Sequence, residues 1–261
     1  MRSLPVIALV LAAGAARADG PVTLAWKAAD GDEFIVAVQS KRRSEVQTDK
    51  QPLPVATRFE VKVTGTLKVR AAAEDGSRKC EFTFATLEGT VEALGMKLPI
   101  AEKPEDVFGK KVTATLSRFG RLTWDAEAVR KVAEGVDLTE DLAHLLPALP
   151  LEPVSTRTDW EAEVDGHRDT YEIKSLEVTE NRTVAVFAGK SKADETTGDG
   201  ELKTTLRVDG TFSGEWDVDS GQLKHWKENR TEEAKIVGKD SMFITKSELN
   251  RTVTIGRKKK D

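Results

Sequence analysis

Along most of this chain apolar and polar residues alternate, and a period of two sends successive side chains to opposite faces of a β-sheet. The clearest stretch is Phe59 to Val69, where Phe59, Val61, Val63, Leu67 and Val69 fall on one side and Glu60, Lys62, Thr64, Thr66 and Lys68 on the other. Turn residues follow at Glu74-Asp75-Gly76-Ser77, and Cys80, Phe82 and Phe84 then resume the apolar phase. Residues 58–88 therefore predict a long hairpin. Further strands are predicted around Val112-Ala114-Leu116, Tyr171-Ile173, Val184-Val186, Leu202-Leu206-Val208 and Phe212-Trp216-Val218. The last runs from Phe243 to Ile255, with Leu249, Val253 and Ile255 sharing a side with Arg251. Long strands joined by tight turns pair antiparallel.

A helical period appears only in the middle of the chain. Asp125 is placed to cap a segment Ala126 to Glu134, with Val129, Val132 and Ala133 on one side and Gly135 at its end. A second short helix is predicted from Thr139, with Glu140 and Asp141 in its first turn and Leu142, Leu145 and Leu146 on one face. Pro147 stops it, and Pro150 and Pro153 lead in extended form to a second β block opening at Trp160. The predicted fold is mainly β: a large, curved antiparallel sheet, half-barrel in character, wrapped over a short central helical insert at about residues 125–147. One domain over residues 19–261 is preferred to two, because a single-faced sheet needs an apolar cover and the Leu-rich insert supplies one.

Residues 1–18 read as a secretory signal. Met1-Arg2 is a short positive region, Leu4 to Ala13 is an apolar core, and Ala16-Arg17-Ala18 presents small residues for cleavage before Asp19. The apolar core is too short to span a bilayer, and nothing later in the chain approaches the length of a transmembrane helix. An exported, soluble chain, periplasmic or extracellular, is expected. Removal of the signal takes away Arg2 and Arg17 and no acid, leaving 38 basic against 44 acidic residues, a net charge of −6. That balance argues against a nucleic-acid partner. The basic tail Arg257-Lys258-Lys259-Lys260 reads as a solvated end. Cys80 is the only cysteine, so the fold has no internal disulfide, and its phase with Phe82 and Phe84 reads it as a buried apolar residue and not a nucleophile.

Few residues point to chemistry. His144, His167 and His225 lack the spacing of a metal pair, so no metal or other cofactor is expected. Asp217-Val218-Asp219-Ser220-Gly221 has some of the composition of a calcium loop, but Gln222 stands where an EF-hand needs glycine and the flanks alternate as strands, so a hairpin turn is preferred. No Gly-x-Ser-x-Gly is present, and no catalytic constellation is found. Three Asn-Arg-Thr triplets begin at Asn181, Asn229 and Asn250. Trp160, Trp216 and Trp226 are large amphipathic rings suited to a core or to a cavity wall.

Several short motifs are similar to those of a family of uncharacterised exported bacterial proteins. They are Asp30-Gly31-Asp32-Glu33-Phe34, the run from Gly109 to Leu122, Leu149-Pro150, Asp159-Trp160 and the hairpin Gly214 to Leu223. The resemblance implies a half-barrel like that of periplasmic lipoprotein carriers, curled around a helical plug with an apolar cavity between, and it brings no catalytic residues. Two readings stay open on these grounds. One is a carrier of a lipid or other apolar molecule, with candidate ligand contacts at Phe59, Val61, Val63, Phe82 and Phe84 on the sheet and Leu142, Leu145 and Leu146 on the plug. The other is a structural or protein-interaction module of the cell envelope, partnered by another envelope protein.

Overall fold

The structure, a computed structural model, describes residues 16–17, 20–100, 106–117, 120–132, 138–143, 145–164, 167–179, 182–198, 202–239 and 241–258. The expected signal segment apart from Ala16–Arg17, together with Ala133 to Gly135, His144, Asn181 and Lys259-Lys260, lies outside them.

The alternating segments form thirteen strands: β1 (Ala16–Arg17), β2 (Glu33–Thr48), β3 (Gln51–Ala72), β4 (Arg78–Ala93), β5 (Met96–Pro99), β6 (Lys111–Leu116), β7 (Leu122–Trp124), β8 (Asp159–Val164), β9 (His167–Thr179), β10 (Arg182–Gly198), β11 (Leu202–Asp217), β12 (Gln222–Gly238) and β13 (Met242–Arg257). All belong to one antiparallel sheet, in the order β1-β9-β10-β11-β12-β13-β2-β3-β4-β6-β7, with β5 beside β4 and β8 beside β9. Among the described residues the two ends do not pair, so the sheet is open. The two β blocks are joined by β13 and β2, which run antiparallel from Phe243 opposite Thr48 to Arg257 opposite Phe34.

The predicted hairpin over residues 58–88 is the β3–β4 pair, with Leu67 opposite Phe82 and Val69 opposite Cys80. A bulge at Ala85 shifts the phase, so that Leu87 follows Phe84 on the buried face. Leu202 to Val208 and Phe212 to Val218, expected as separate strands, are one continuous strand up to Asp217. Gly210 keeps the phase between Val208 and Phe212, and both neighbouring strands pair across it.

One face of the sheet, the inner face, packs on the central insert. The first helix, α1 (Ala126–Arg130), is shorter than its periodicity suggests; Asp125 caps it, its side chain accepting from the Ala128 N–H at 3.1 Å. The second, α2 (Thr139–Ala143), begins where expected. Val129, Val132, Leu138, Leu142, Leu145, Leu146 and Leu149 join Phe34, Val63, Phe82, Ile173, Phe187 and Trp216 in one buried cluster. Burying each such side chain contributes about 1.5–3 kcal/mol. Trp124 ties the insert to β7 by donating its indole N–H to the Leu142 carbonyl at 2.7 Å.

Candidate binding site

The insert covers only the end of the inner face that holds the β3–β4 and β11–β12 turns. Where the cover ends, the alternation of β9 and β12 carries polar groups inward: His167 and Asp169 lie in phase with Tyr171 and Ile173, and Glu228 and Arg230 with Trp226. Cross-strand register sets Asp169 opposite Ser191 and Glu228 opposite Arg251, so the buried polar groups form a band across the sheet.

The band is internally bonded. Ser191 Oγ donates to Asp169 Oδ1 at 2.6 Å and Tyr171 OH donates to Asp169 Oδ2 at 3.1 Å, with His167 Nε2 3.4 Å from the same carboxylate. Burial, with the Asp169 charge next in importance, holds the Tyr171 hydroxyl well above its usual pKa, so it remains a donor. Glu228 accepts from the Arg251 guanidinium and faces Arg230 Nη1 at 3.5 Å. Arg251 is wholly enclosed, and Glu228 is 5% exposed. Each arginine is the centre of an Asn-Arg-Thr triplet lying mid-strand, with Asn229 opposite Asn250 on the other face.

Between the band and the exit of the insert lies a cavity of about 550 Å³. Leu122, Trp124, Leu146, Ala148 and Leu149 line one side; Ala162, His167, Asp169, Tyr171, Trp226 and Glu228 line the other. Stacked aromatic rings build its floor, Trp160 on Tyr171 at 5.0 Å and Phe212 on Trp226 at 4.9 Å. The floor depends on Gly189, where an added Cβ would sit 2.1 Å from the Thr170 carbonyl oxygen and 2.3 Å from the Phe212 ring. Ala148 fixes the opposite wall: its N–H donates to Tyr171 OH at 3.2 Å and its carbonyl accepts from the Trp160 indole at 3.0 Å. Glu161, Ala162, Glu163 and His167 also border a second, wider groove of about 1320 Å³.

Of the eight side chains expected to line a pocket, Leu146 borders this cavity, and Phe59 borders a separate groove beside Arg42 and Arg58. Val61, Val63, Phe82, Phe84, Leu142 and Leu145 are brought together in the filled core, with Phe59 half-buried at its edge. On that side Phe82 meets Trp124 of β7 edge-to-face at 5.9 Å, within the buried cluster that the insert completes. The cavity opens toward the second β block, where polar side chains stand in the inward phase and packing is interrupted.

Other predicted features resolve simply. Cys80 is buried, and burial pushes its thiol up to about 11. Asp217 and Asp219 make the β11–β12 turn: Asp217 accepts from the Ser220 N–H at 2.9 Å and pairs with Lys224 at 3.2 Å, while Asp219 accepts from the Thr183 N–H. Among the described residues, no three His, Cys, Asp or Glu side chains converge to hold a metal ion. No helix among the described residues is long and apolar enough to cross a membrane.

This fold is an open antiparallel β sheet of half-barrel type with a plugged end and a lateral cavity. No family model matches the sequence, and no curated protein matches it. Among solved structures, one of lipovitellin, described for its lipid–protein interactions, aligns with 90% of this chain at 12% identity and a TM-score of 0.46; the chain spans 26% of that protein's length. A COG4313 outer membrane channel from Pseudomonas putida F1 aligns at 7% identity and a TM-score of 0.26, covering 89% of this chain and 98% of that one. OccK7 (OpdD) of Pseudomonas aeruginosa gives 8% identity and 0.26, covering 87% of this chain and all of the other. At these scores none of them bears on what this chain binds.

Proposed function

We propose that this protein holds an apolar or amphipathic small molecule in the cavity between the insert and the inner face of the sheet, and performs no chemistry on it. The supporting observation is the cavity itself: about 550 Å³ falls within the range of small-molecule sites, and its apolar wall faces a few convergent polar groups. The wall is held in place by the hydrogen bonds that Ala148 makes, donating its N–H to Tyr171 and accepting from the Trp160 indole, so it is formed before any ligand arrives. Export, with cleavage before Asp19, and membership of the exported bacterial family belong to the same proposal.

Native mass spectrometry of the exported protein, purified without detergent and followed by solvent extraction, tests it. The expected result is the mass of residues 19–261 plus an adduct that extraction releases as a small apolar molecule. Ala162, which lines the cavity opposite Asp169, is the place to fill it, and Ala162→Trp should lower the occupancy. A clean mass with no extractable compound would overturn the carrier reading.

A second observation favours the alternative of an envelope interaction module. Of the ten large apolar side chains exposed among the described residues, seven (Leu53, Leu94, Met96, Leu98, Leu202, Val237 and Phe243) gather at the tips of the β2–β3, β4–β5, β10–β11 and β12–β13 hairpins, at one end of the sheet. Clustered exposure of this kind marks contact surfaces. If it serves as one, Leu53→Asp with Phe243→Asp will abolish cross-linking to envelope partners in intact cells, and unchanged cross-linking removes this reading.

A further inference from the structure

The two walls of the cavity differ in chemistry, and the difference orients whatever occupies it. The side formed by β7 and the insert offers Leu122, Trp124, Leu146 and Leu149; the side formed by β9 and β12 offers Asp169 and Glu228. A ligand therefore places its hydrocarbon against the insert and its polar end against the band.

The charge at that end is decided by which groups the fold has already used. Two guanidinium groups stand close to the band, those of Arg230 and Arg251, and both lie against Glu228. Asp169 is held by the neutral hydroxyls of Ser191 and Tyr171, with the His167 imidazole beside it. Glu163 stands at the rim on the same side. Arg121 lines the cavity from the opposite side, next to Leu122. An anionic head group placed against the band would meet two buried carboxylates, with the nearby arginines already engaged by Glu228, whereas an ammonium would meet acceptors. We infer that the ligand is an amphiphile with a cationic, amine-type polar end, and that Asp169 is the main group recognising it; this rests on the carrier reading of the same cavity.

The test compares three probes of equal chain length on the delipidated wild-type protein by isothermal titration calorimetry: decylammonium, decanoate and decanol. Decanol reports on the cavity alone. The inference expects all three to bind in the cavity and decylammonium to bind about tenfold tighter than decanoate, the scale of a single partly screened charge contact. In Asp169→Asn the amine-to-acid ratio should fall towards one, with decylammonium losing more affinity than decanol. If decanol binds and decanoate binds as well as or better than decylammonium, the inference is overturned while the carrier reading stands. If decanol and decylammonium both fail to bind, both are overturned.

Discussion

Replacing Arg251 by methionine removes a guanidinium from a place where no water can substitute for it. The Arg251 side chain is wholly buried, and the carboxylate it bonds, Glu228, is 5% exposed. Arg230 Nη1, 3.5 Å from Glu228, is then the cation that remains beside the carboxylate. Breaking a buried pair by removing one partner costs about 3–5 kcal/mol, because the remaining ion keeps its desolvation penalty. That is a large share of the ~5–15 kcal/mol that holds a domain folded. In a chain of this length it corresponds to a drop in Tm of roughly 6–20 °C. Equilibrium urea unfolding, followed by far-UV circular dichroism and tryptophan fluorescence, measures the loss. A triple variant, Arg230→Met with Glu228→Leu and Arg251→Met, removes every charge of the group and should recover most of it, since apolar replacements of a buried ionic cluster are often neutral or stabilising. A single-variant loss under about 1 kcal/mol, or a triple variant as unstable as the sum of its parts, would refute the reasoning.

Three further outcomes are expected. Cys80, 2% exposed and with its thiol pushed up to about 11 by burial, should resist iodoacetamide at pH 8 in the native protein and react fully in urea; rapid native labelling would contradict its placement. Burial pushes the Asp217 carboxyl upward, but the Ser220 N–H and hydroxyl and then Lys224 outweigh it, leaving a pKa below the ordinary value. A lowered folded pKa gives stability that is fully present above the unfolded pKa of about 4 and is lost as pH falls through the folded one. The stability gap between wild type and Asp217→Asn should accordingly be constant at neutral pH and close in acid, and a gap that widens in acid would reverse the assignment. Gly189→Ala drives a methyl into the Thr170 carbonyl and the Phe212 ring and should cost about 1–3 kcal/mol, so an unchanged Tm would show that the cavity floor tolerates what its geometry forbids.

The fold was legible where local pattern and tertiary demand coincide. The β3–β4 hairpin follows from strict alternation plus Asp75-Gly76, and the start of α1 from Asp125. Pairing between distant strands carries no local mark: nothing in β2 or β13 announces that residues 34 and 257 lie opposite each other. The predicted contacts and the cavity differ for a related reason. Val61, Val63, Phe82 and Phe84 have the strongest apolar phase, and that phase is spent on the buried core, with Phe59 at its edge. The informative signal is the opposite one, charge in the buried phase. Arg251 between Leu249 and Val253 shows it plainly, and Arg230, Glu228, Asp169 and His167 carry the same mark on their own strands, so the amino-acid pattern does hold the position of the band.

That signal also explains why the cavity lies where it does. A buried ionic group is a poor source of stability compared with an apolar one of the same size, so its presence in an inward phase needs another account. Along β12 the inward series runs Trp226, Glu228, Arg230, and on β9 it runs Ile173, Tyr171, Asp169, His167, so on both strands polarity begins one residue pair beyond the aromatic floor. The insert stops at the same level, because Ala148 is held by Tyr171 and Trp160 and its chain then turns away through Pro150 and Pro153. Apolar packing gives way to polar pairing at one line across the sheet. A molecule that is apolar at one end and polar at the other fits across that line, whereas a uniformly apolar one would cover Asp169 and Glu228 without offering either a polar partner.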